Sequence, residues 1–280
     1  MDHVLTNEKL WEFERSLKEA EYESSTIKKY LRELHSFRDW LEDRAVNKEG
    51  AAAFKSYLQE AGYAPSTVNT KISALNVFFR FAGWEECKVK FLRIQKQIFR
   101  SRSKELSRDE YFRLLNAARA KGKEKLALLM EAICCIGIRV SEVSYITIEA
   151  VEQGRAEISL KGKTRVIFFP QKLCRKLKNY AKKQRITSGE IFLTSSGRGI
   201  SRRQIWREMK NLCKSAEVEE SKVFPHNLRH LFATVFYKIS GDIVKLADML
   251  GHSSIETTRI YLKTTGEEHV RYLGRMGLVQ

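Results

Sequence analysis

The stretch His226-Asn227-Leu228-Arg229-His230-Leu231-Phe232-Ala233-Thr234-Val235-Phe236 decides how this chain is read. Leu231, Phe232, Val235 and Phe236 recur at helical spacing and predict one buried stripe. Pro225 just before it suits a first helical turn, where a missing N–H costs nothing. His226 and Arg229, three residues apart, therefore share the opening face of a helix, where the backbone dipole favours an anion. Downstream, Ile243, Leu246, Ala247 and Leu250 mark an amphipathic helix, and Gly251 stands where a left-handed helix end favours glycine. Ser253-Ser254-Ile255-Glu256 reads as a capping box opening the next helix. His252 then falls in the joint between helices, and Tyr261 near the end of the second.

The same 3.6-residue period runs through most of the 280 residues, which contain only three prolines. The fold class is mainly α with a small antiparallel β-sheet. Four helices are expected at 7–20, 25–43, 49–61 and 66–82. An echo at an offset of 41 residues relates Tyr22, Ser25, Thr26, Ile27, Leu34 and Phe37 to Tyr63, Ser66, Thr67, Val68, Leu75 and Phe78. Ser25 and Ser66 suit N-caps, and the matched Leu and Phe pairs suit inward packing. Residues 1–94 thus read as a helical domain, 95–104 as a polar, basic linker, and 105–280 as a second domain opened by a Ser107/Glu110 capping box. A β insert is expected at about 144–169, where Ala156, Ile158 and Leu160 alternate and Gly162 turns the chain into Val166-Ile167-Phe168-Phe169. Another helix is expected from Ser201.

Lys and Arg number 51 against 34 Asp and Glu, a net charge of +17. Such an excess points to a polyanionic partner, although charge alone does not separate DNA from RNA or an anionic membrane. Lys28, Lys29 and Arg32 of the second helix, with Lys71 and Arg80 of the fourth, are candidate phosphate contacts, as are Arg202 and Arg203; the alternative is an ordinary solvated face. A membrane span is not expected. The most apolar run, Leu126 to Ile138, is broken by Glu131 and falls short of the roughly 20 residues required. The first nine residues carry no signal-peptide pattern, and cysteines 87, 134, 135, 174 and 213 form no CxxC pair, which suits reduced thiols inside a cell.

Further candidates lie in Gly137-Ile138-Arg139-Val140-Ser141-Glu142 and in the basic turn Lys161-Gly162-Lys163-Thr164-Arg165. Arg139 follows an apolar run and needs an anionic partner, either a ligand or Glu142. His226 and His230 have the spacing of a helical zinc pair, but Asn227 stands where a hydrolytic site needs glutamate, so no metal is expected and His230 reads as a core histidine. Two Arg, two His, a Lys and a Tyr could surround one phosphate.

In order and spacing, these segments resemble the tyrosine recombinase/integrase family, of Xer type or of the simple phage and transposon type. The resemblance covers about residues 105–265, with a looser likeness of the first four helices to that family's SAM-like core-binding domain. It implies that Tyr261 attacks a scissile phosphate to leave a 3′-phosphotyrosine, and that Arg139 and Arg229 bind its non-bridging oxygens. It further implies that His226 assists as acid/base or hydrogen-bond donor, that His252 hydrogen-bonds the phosphate, that Lys161 protonates the leaving 5′-oxygen, and that Glu142 supports Arg139. Lys163 is the alternative to Lys161. The implied partner is double-stranded DNA with a specific recombination site, bound by a homo-tetramer or a hetero-tetramer with a related recombinase. Strand exchange would pass through a Holliday junction, without metal, ATP or other cofactor, in the cytoplasm at the nucleoid. The segment 266–280, with Val270, Leu273 and Met276, would dock on a neighbouring protomer or cap its own domain. The competing readings are a type IB topoisomerase and a non-catalytic DNA-binding regulator.

Overall fold

Two compact units, Met1–Lys96 and Gln97–Gln280, divide the chain. The computed structural model describes residues 3–42, 44–94, 104–160, 163–261, 270 and 274–276. The first unit holds α1 (Asn7–Glu19), α2 (Ser24–Leu41), α3 (Lys48–Glu60) and α4 (Pro65–Phe81), each within two residues of its sequence expectation. Thr6 caps α1 through an N–H of Lys9 (3.2 Å), and Asn47 caps α3 through Gly50 (2.7 Å). The 41-residue echo survives in the core: Leu34, Phe37, Leu75 and Phe78 are fully buried.

The expected serine caps do not form. The cap positions of α2 and α4 are Glu23 and Ala64, and neither helix has a side-chain cap hydrogen bond. Both residues are extended (φ −54°, ψ 132° and φ −57°, ψ 141°), so Ser25 and Ser66 fall inside the first turn. Pro65, with φ fixed by its ring, starts α4 one residue before the serine. The unit closes where Asn69 and Asn76, seven apart on α4, each exchange two hydrogen bonds with the backbone, at Leu92 and Val89 respectively.

The second unit begins with α5 (Arg108–Ala120), whose Ser107/Glu110 capping box is formed, and α6 (Glu124–Ile136). In α6 Leu129, Met130, Ala132 and Ile133 are fully buried, because α5 and the later helices at Gln171–Lys183, Arg202–Lys210 and Pro225–Ser240 pack around it. A 3₁₀ turn at Val140–Tyr145 leads to α7 (Ile148–Gln153), then β1 (Arg155–Leu160) and β2 (Lys163–Phe168). The strands form a two-stranded antiparallel sheet with Ile158 opposite Arg165 and Leu160 opposite Lys163. The β insert is thus shorter than the sequence suggests. Residues 148–153 are helical, since the Thr147 hydroxyl accepts from Ala150 (3.1 Å) and Gly154 ends the turn at φ +71°.

The remaining elements are α8 (Gln171–Lys183), α9 (Arg202–Lys210), α10 (Cys213–Ala216), α11 (Pro225–Ser240), α12 (Ile243–Leu250) and α13 (Ile255–Arg259). Most of the linker 95–104, most of 266–280, and Lys161 with Gly162 lie outside the described residues. Among the described residues no helix is long and apolar enough to cross a membrane.

Candidate active site

Gly137 shapes the floor of the site. It ends α6 at φ +65°, and a Cβ there would lie 2.3 Å from the Phe232 ring of α11, so only glycine permits this turn and this approach. Its carbonyl is thereby turned toward Arg229, which donates to it at 2.5 Å. Arg229 is 1% exposed and also donates to the Leu250 carbonyl (2.7 Å) at the end of α12. The arginine expected at the helix opening is therefore a buried fork between two chain turns. Burial, reinforced by the charge of Arg139, lowers its pKa to about 10, which leaves it charged at neutral pH.

Two residues past Gly137, Arg139 is gripped by Glu142. The carboxylate accepts the Arg139 backbone N–H (2.7 Å) and its guanidinium (2.9 Å). The expected structural pair exists, but Glu142 does more than pair. At 1% exposure it also accepts from Arg165 (2.6 Å) and lies 4.0 Å from Arg229. Three guanidinium groups thus share one buried carboxylate, an excess of two positive charges. Desolvated cations of this density make a strong local anion site. Arg139 keeps 39% of its side chain exposed and is the most open of the three to a ligand.

His252 follows Gly251, which ends α12 at φ +64°. Its Nε2 lies 3.2 Å from Arg229 and its Nδ1 lies 2.9 Å from the hydroxyl of fully buried Thr258. Arginine offers donors only, so Nε2 accepts and the ring proton sits on Nδ1, directed at Thr258. Burial first, and then Arg229 and Arg139, push the His252 pKa down to about 4, so the ring is neutral at pH 7. The next helix departs from expectation at its cap: Ser254, not Ser253, is the cap residue, and its hydroxyl accepts the Glu256 N–H (3.2 Å). Extended Ser254 (φ −141°) leaves Ser253 outside the turn.

Tyr261 is 5% exposed and its ring meets three histidines. It stacks on His252 (5.9 Å between centroids, 11° between planes) and lies 4.9 Å from His230 and 6.4 Å from His226. His230, read as a core histidine, is buried and packs on the tyrosine. Arg139, Glu142, Arg229, His252, Tyr261 and His226 therefore converge, while Lys161 lies outside the described residues. Arg202 lines the same cavity as Arg139, Arg165 and His252; Arg203 is not among its lining residues.

Arg165 was missed as a site residue. Its guanidinium bonds Glu142 and the Met249 carbonyl, and a Cβ on Gly251 would lie 2.5 Å from its Cδ. A signal for it is present in the sequence. Strand alternation puts Arg165 on the same face as buried Ile167 and Phe169, an unusual place for an unpaired charge.

In the first unit, Lys28, Lys29, Arg32 and Arg80 are exposed. Lys71 is not a free cation: it pairs with Glu33, which also receives Arg32 (2.6 Å) and is 4% exposed. Burial works to raise the Glu33 carboxyl, but hydrogen bonds from Lys71 and Arg32 hold it below the usual range. Among the described residues, the one grouping of metal-ligand types is His3, Glu86 and Cys87, within 4.8 Å of one another. His3 there already bonds Glu86 (2.5 Å) and stacks on Trp84, which accounts for the grouping as a closure of the N-terminal segment.

A four-helix unit followed by a helical domain with a small hairpin and an Arg/His/Tyr centre defines the class of the tyrosine recombinases. Comparison with known proteins agrees. Residues 104–268 match the Phage integrase family, and residues 10–86 match the Phage integrase, N-terminal SAM-like domain. Tyrosine recombinase XerA of Thermococcus kodakarensis is 32% identical over 95% of this chain and 93% of its own length. Tyrosine recombinase XerD of Vibrio cholerae is 25% identical over 92% of this chain and 90% of its own length. In fold, the chain resembles a lambda integrase tetramer bound to a Holliday junction, with a TM-score of 0.75 at 19% identity over 93% of this chain and 77% of that one. It also resembles XerH bound to its difH substrate, with a TM-score of 0.68 at 20% identity over 95% and 84% of the two chains. The chain belongs to the phage integrase family of tyrosine recombinases.

Proposed function

We propose that this protein is a site-specific DNA recombinase that breaks and rejoins strands through a 3′-phosphotyrosine on Tyr261. The observation that carries this reading is the stack of Tyr261 on His252, whose Nε2 accepts from the buried Arg229. A potential nucleophile, a neutral imidazole and an anion-seeking guanidinium are held as one unit. In the proposed step the Tyr261 oxygen bonds to phosphorus while its proton passes to His226. The bond from phosphorus to the 5′-oxygen breaks, and Lys161 supplies a proton to that oxygen. Arg139 and Arg229 bind the non-bridging oxygens and stabilise the added charge. The phosphotyrosine bond conserves the energy of the broken linkage, so the 5′-hydroxyl of a second strand restores the backbone without ATP or metal.

The same reading extends to the assembly: a tetramer on two DNA sites exchanges one strand pair, passes through a Holliday junction and exchanges the other. It is supported by the lambda integrase tetramer bound to a Holliday junction, to which the chain is similar in fold. Lys28, Lys29, Arg32, Arg80 and Arg202 are proposed to contact phosphates, and the site of action is the nucleoid in the cytoplasm. The test uses two differently marked duplexes sharing a captured target sequence. Recombinant joints are the expected product. Supercoil relaxation with no joints would leave a type IB topoisomerase; binding with no strand breakage would leave a DNA-binding regulator.

A further inference from the structure

Strand β2 reaches the joint that carries His252 through one side chain. Arg165 extends from the buried face of β2 and forks: one nitrogen donates to Glu142 (2.6 Å), another to the Met249 carbonyl in the last turn of α12. Its stem fills the space beside Gly251, where any Cβ would strike it at 2.5 Å. The residue after Gly251 is His252. Three chain segments, the turn at Arg139–Glu142, the strand and the α12–α13 joint, therefore meet on one guanidinium. Arg165 is 12% exposed in its side chain. Its Nε has no hydrogen-bond partner, so the two terminal nitrogens carry the whole connection. A buried arginine tied to a carbonyl as well as a carboxylate does more than balance charge. A second cation alone would need only Glu142.

We infer that Arg165 is a positioning residue of the cleavage centre: by bonding Met249 and wedging against Gly251, it fixes the joint so that His252 stays docked on Arg229 and under Tyr261. Its action passes through His252 and does not touch the scissile phosphate. A lysine at 165 keeps the charge and can answer Glu142, but one ammonium on a flexible stem does not reproduce the planar fork. The inference rests on the reading of Tyr261 and His252 as a cleavage centre in its kinetic arm only; its spectroscopic arm needs no DNA.

The experiment compares wild type, Arg165→Lys and Arg165→Gln in the full chain, with thermal unfolding to confirm folding. In the first arm, ¹⁵N NMR of the histidine rings reads the His252 tautomer and its titration without DNA. Arg229, Arg139, His226 and Tyr261 also face this ring and are unchanged in both variants. Both variants are expected to lose the single Nδ1–H signature, and the His252 titration midpoint is expected to rise by at least one pH unit as water enters the loosened joint. In the second arm, covalent cleavage of a nicked duplex is expected to fall at least 10-fold in both variants, with the DNA dissociation constant within about 3-fold of wild type. A wild-type His252 spectrum in either folded variant, or full cleavage by Arg165→Lys, would overturn the inference. So would equal losses of cleavage and binding, or failure of both variants to fold, which would leave Arg165 a purely structural residue. If wild type itself forms no covalent product, the recombinase reading fails, and the spectra alone still decide the link between Arg165 and His252.

Discussion

Arg229 donates to His252 Nε2 at 3.2 Å, so a guanidinium that cannot accept dictates which ring nitrogen of the histidine holds the proton. The tautomer is thus a consequence of α11 packing against the α12–α13 joint. It directs the Nδ1 proton at the Thr258 hydroxyl oxygen and the Nε2 lone pair toward the cationic cluster.

His252 should therefore remain neutral well below the usual range for histidine. Its folded pKa of about 4 lies under the roughly 6.5 of an unfolded chain, so the unfolded state binds more protons between these values. The associated stability is complete above about pH 6.5 and is lost as pH falls toward 4. Unfolding midpoints measured across this window should rise with pH in wild type and rise less steeply in His252→Gln. An identical slope in the two proteins would show that the ring is not held neutral.

Arg229→Ala should reduce covalent cleavage by a factor on the order of 10³ or more, by analogy with arginine stabilisation of phosphoryl transfer. DNA affinity should change far less, because one phosphate contact among many is removed. Single-turnover cleavage and a filter-binding titration on the same duplex separate the two. Equal losses would remove Arg229 from the chemical step.

Glu142→Gln leaves three guanidinium groups around a neutral amide. Breaking a buried ion pair typically costs 3–5 kcal/mol; about 3 kcal/mol is expected here, because Arg139 is 39% exposed and regains water. Urea unfolding measures this, and high salt should recover part of the loss by screening the repulsion.

Gly137→Ala carries two penalties. A left-handed backbone costs an alanine about 1–2 kcal/mol, and the new Cβ would sit 2.3 Å from the Phe232 ring. Destabilisation beyond the backbone term is expected by chemical denaturation. Combining it with Phe232→Leu should lose less than the sum of the single changes, since both act on one contact.

Much of the fold was legible because helices write their period into sequence. Leu34, Phe37, Leu75 and Phe78 were readable as core from spacing alone, and all four are fully buried. Ser25 and Ser66 misled because a hydroxyl marks a possible cap, whereas the backbone turns two residues earlier, at Glu23 and Ala64. The helix at 148–153 was hidden by its length, too short to show a period before Gly154 ends it. Convergence of Arg139, Arg229, His252 and Tyr261 was foreshadowed by their positions at helix ends and joints. Glu33 was not, because it looks like an ordinary surface charge until Lys71 is known, and for Arg165 strand alternation signals a charge on a buried face without showing that Glu142 receives it. Pairing across 23 and 38 residues leaves no local trace.

The most direct test is to incubate the protein with a nicked duplex that traps cleavage, in EDTA, and map the DNA-linked peptide by mass spectrometry. A 3′-phosphate ester on Tyr261, absent from Tyr261→Phe, is the expected result. Attachment at another residue, or cleavage that persists in Tyr261→Phe, would contradict the assignment of Tyr261 as nucleophile.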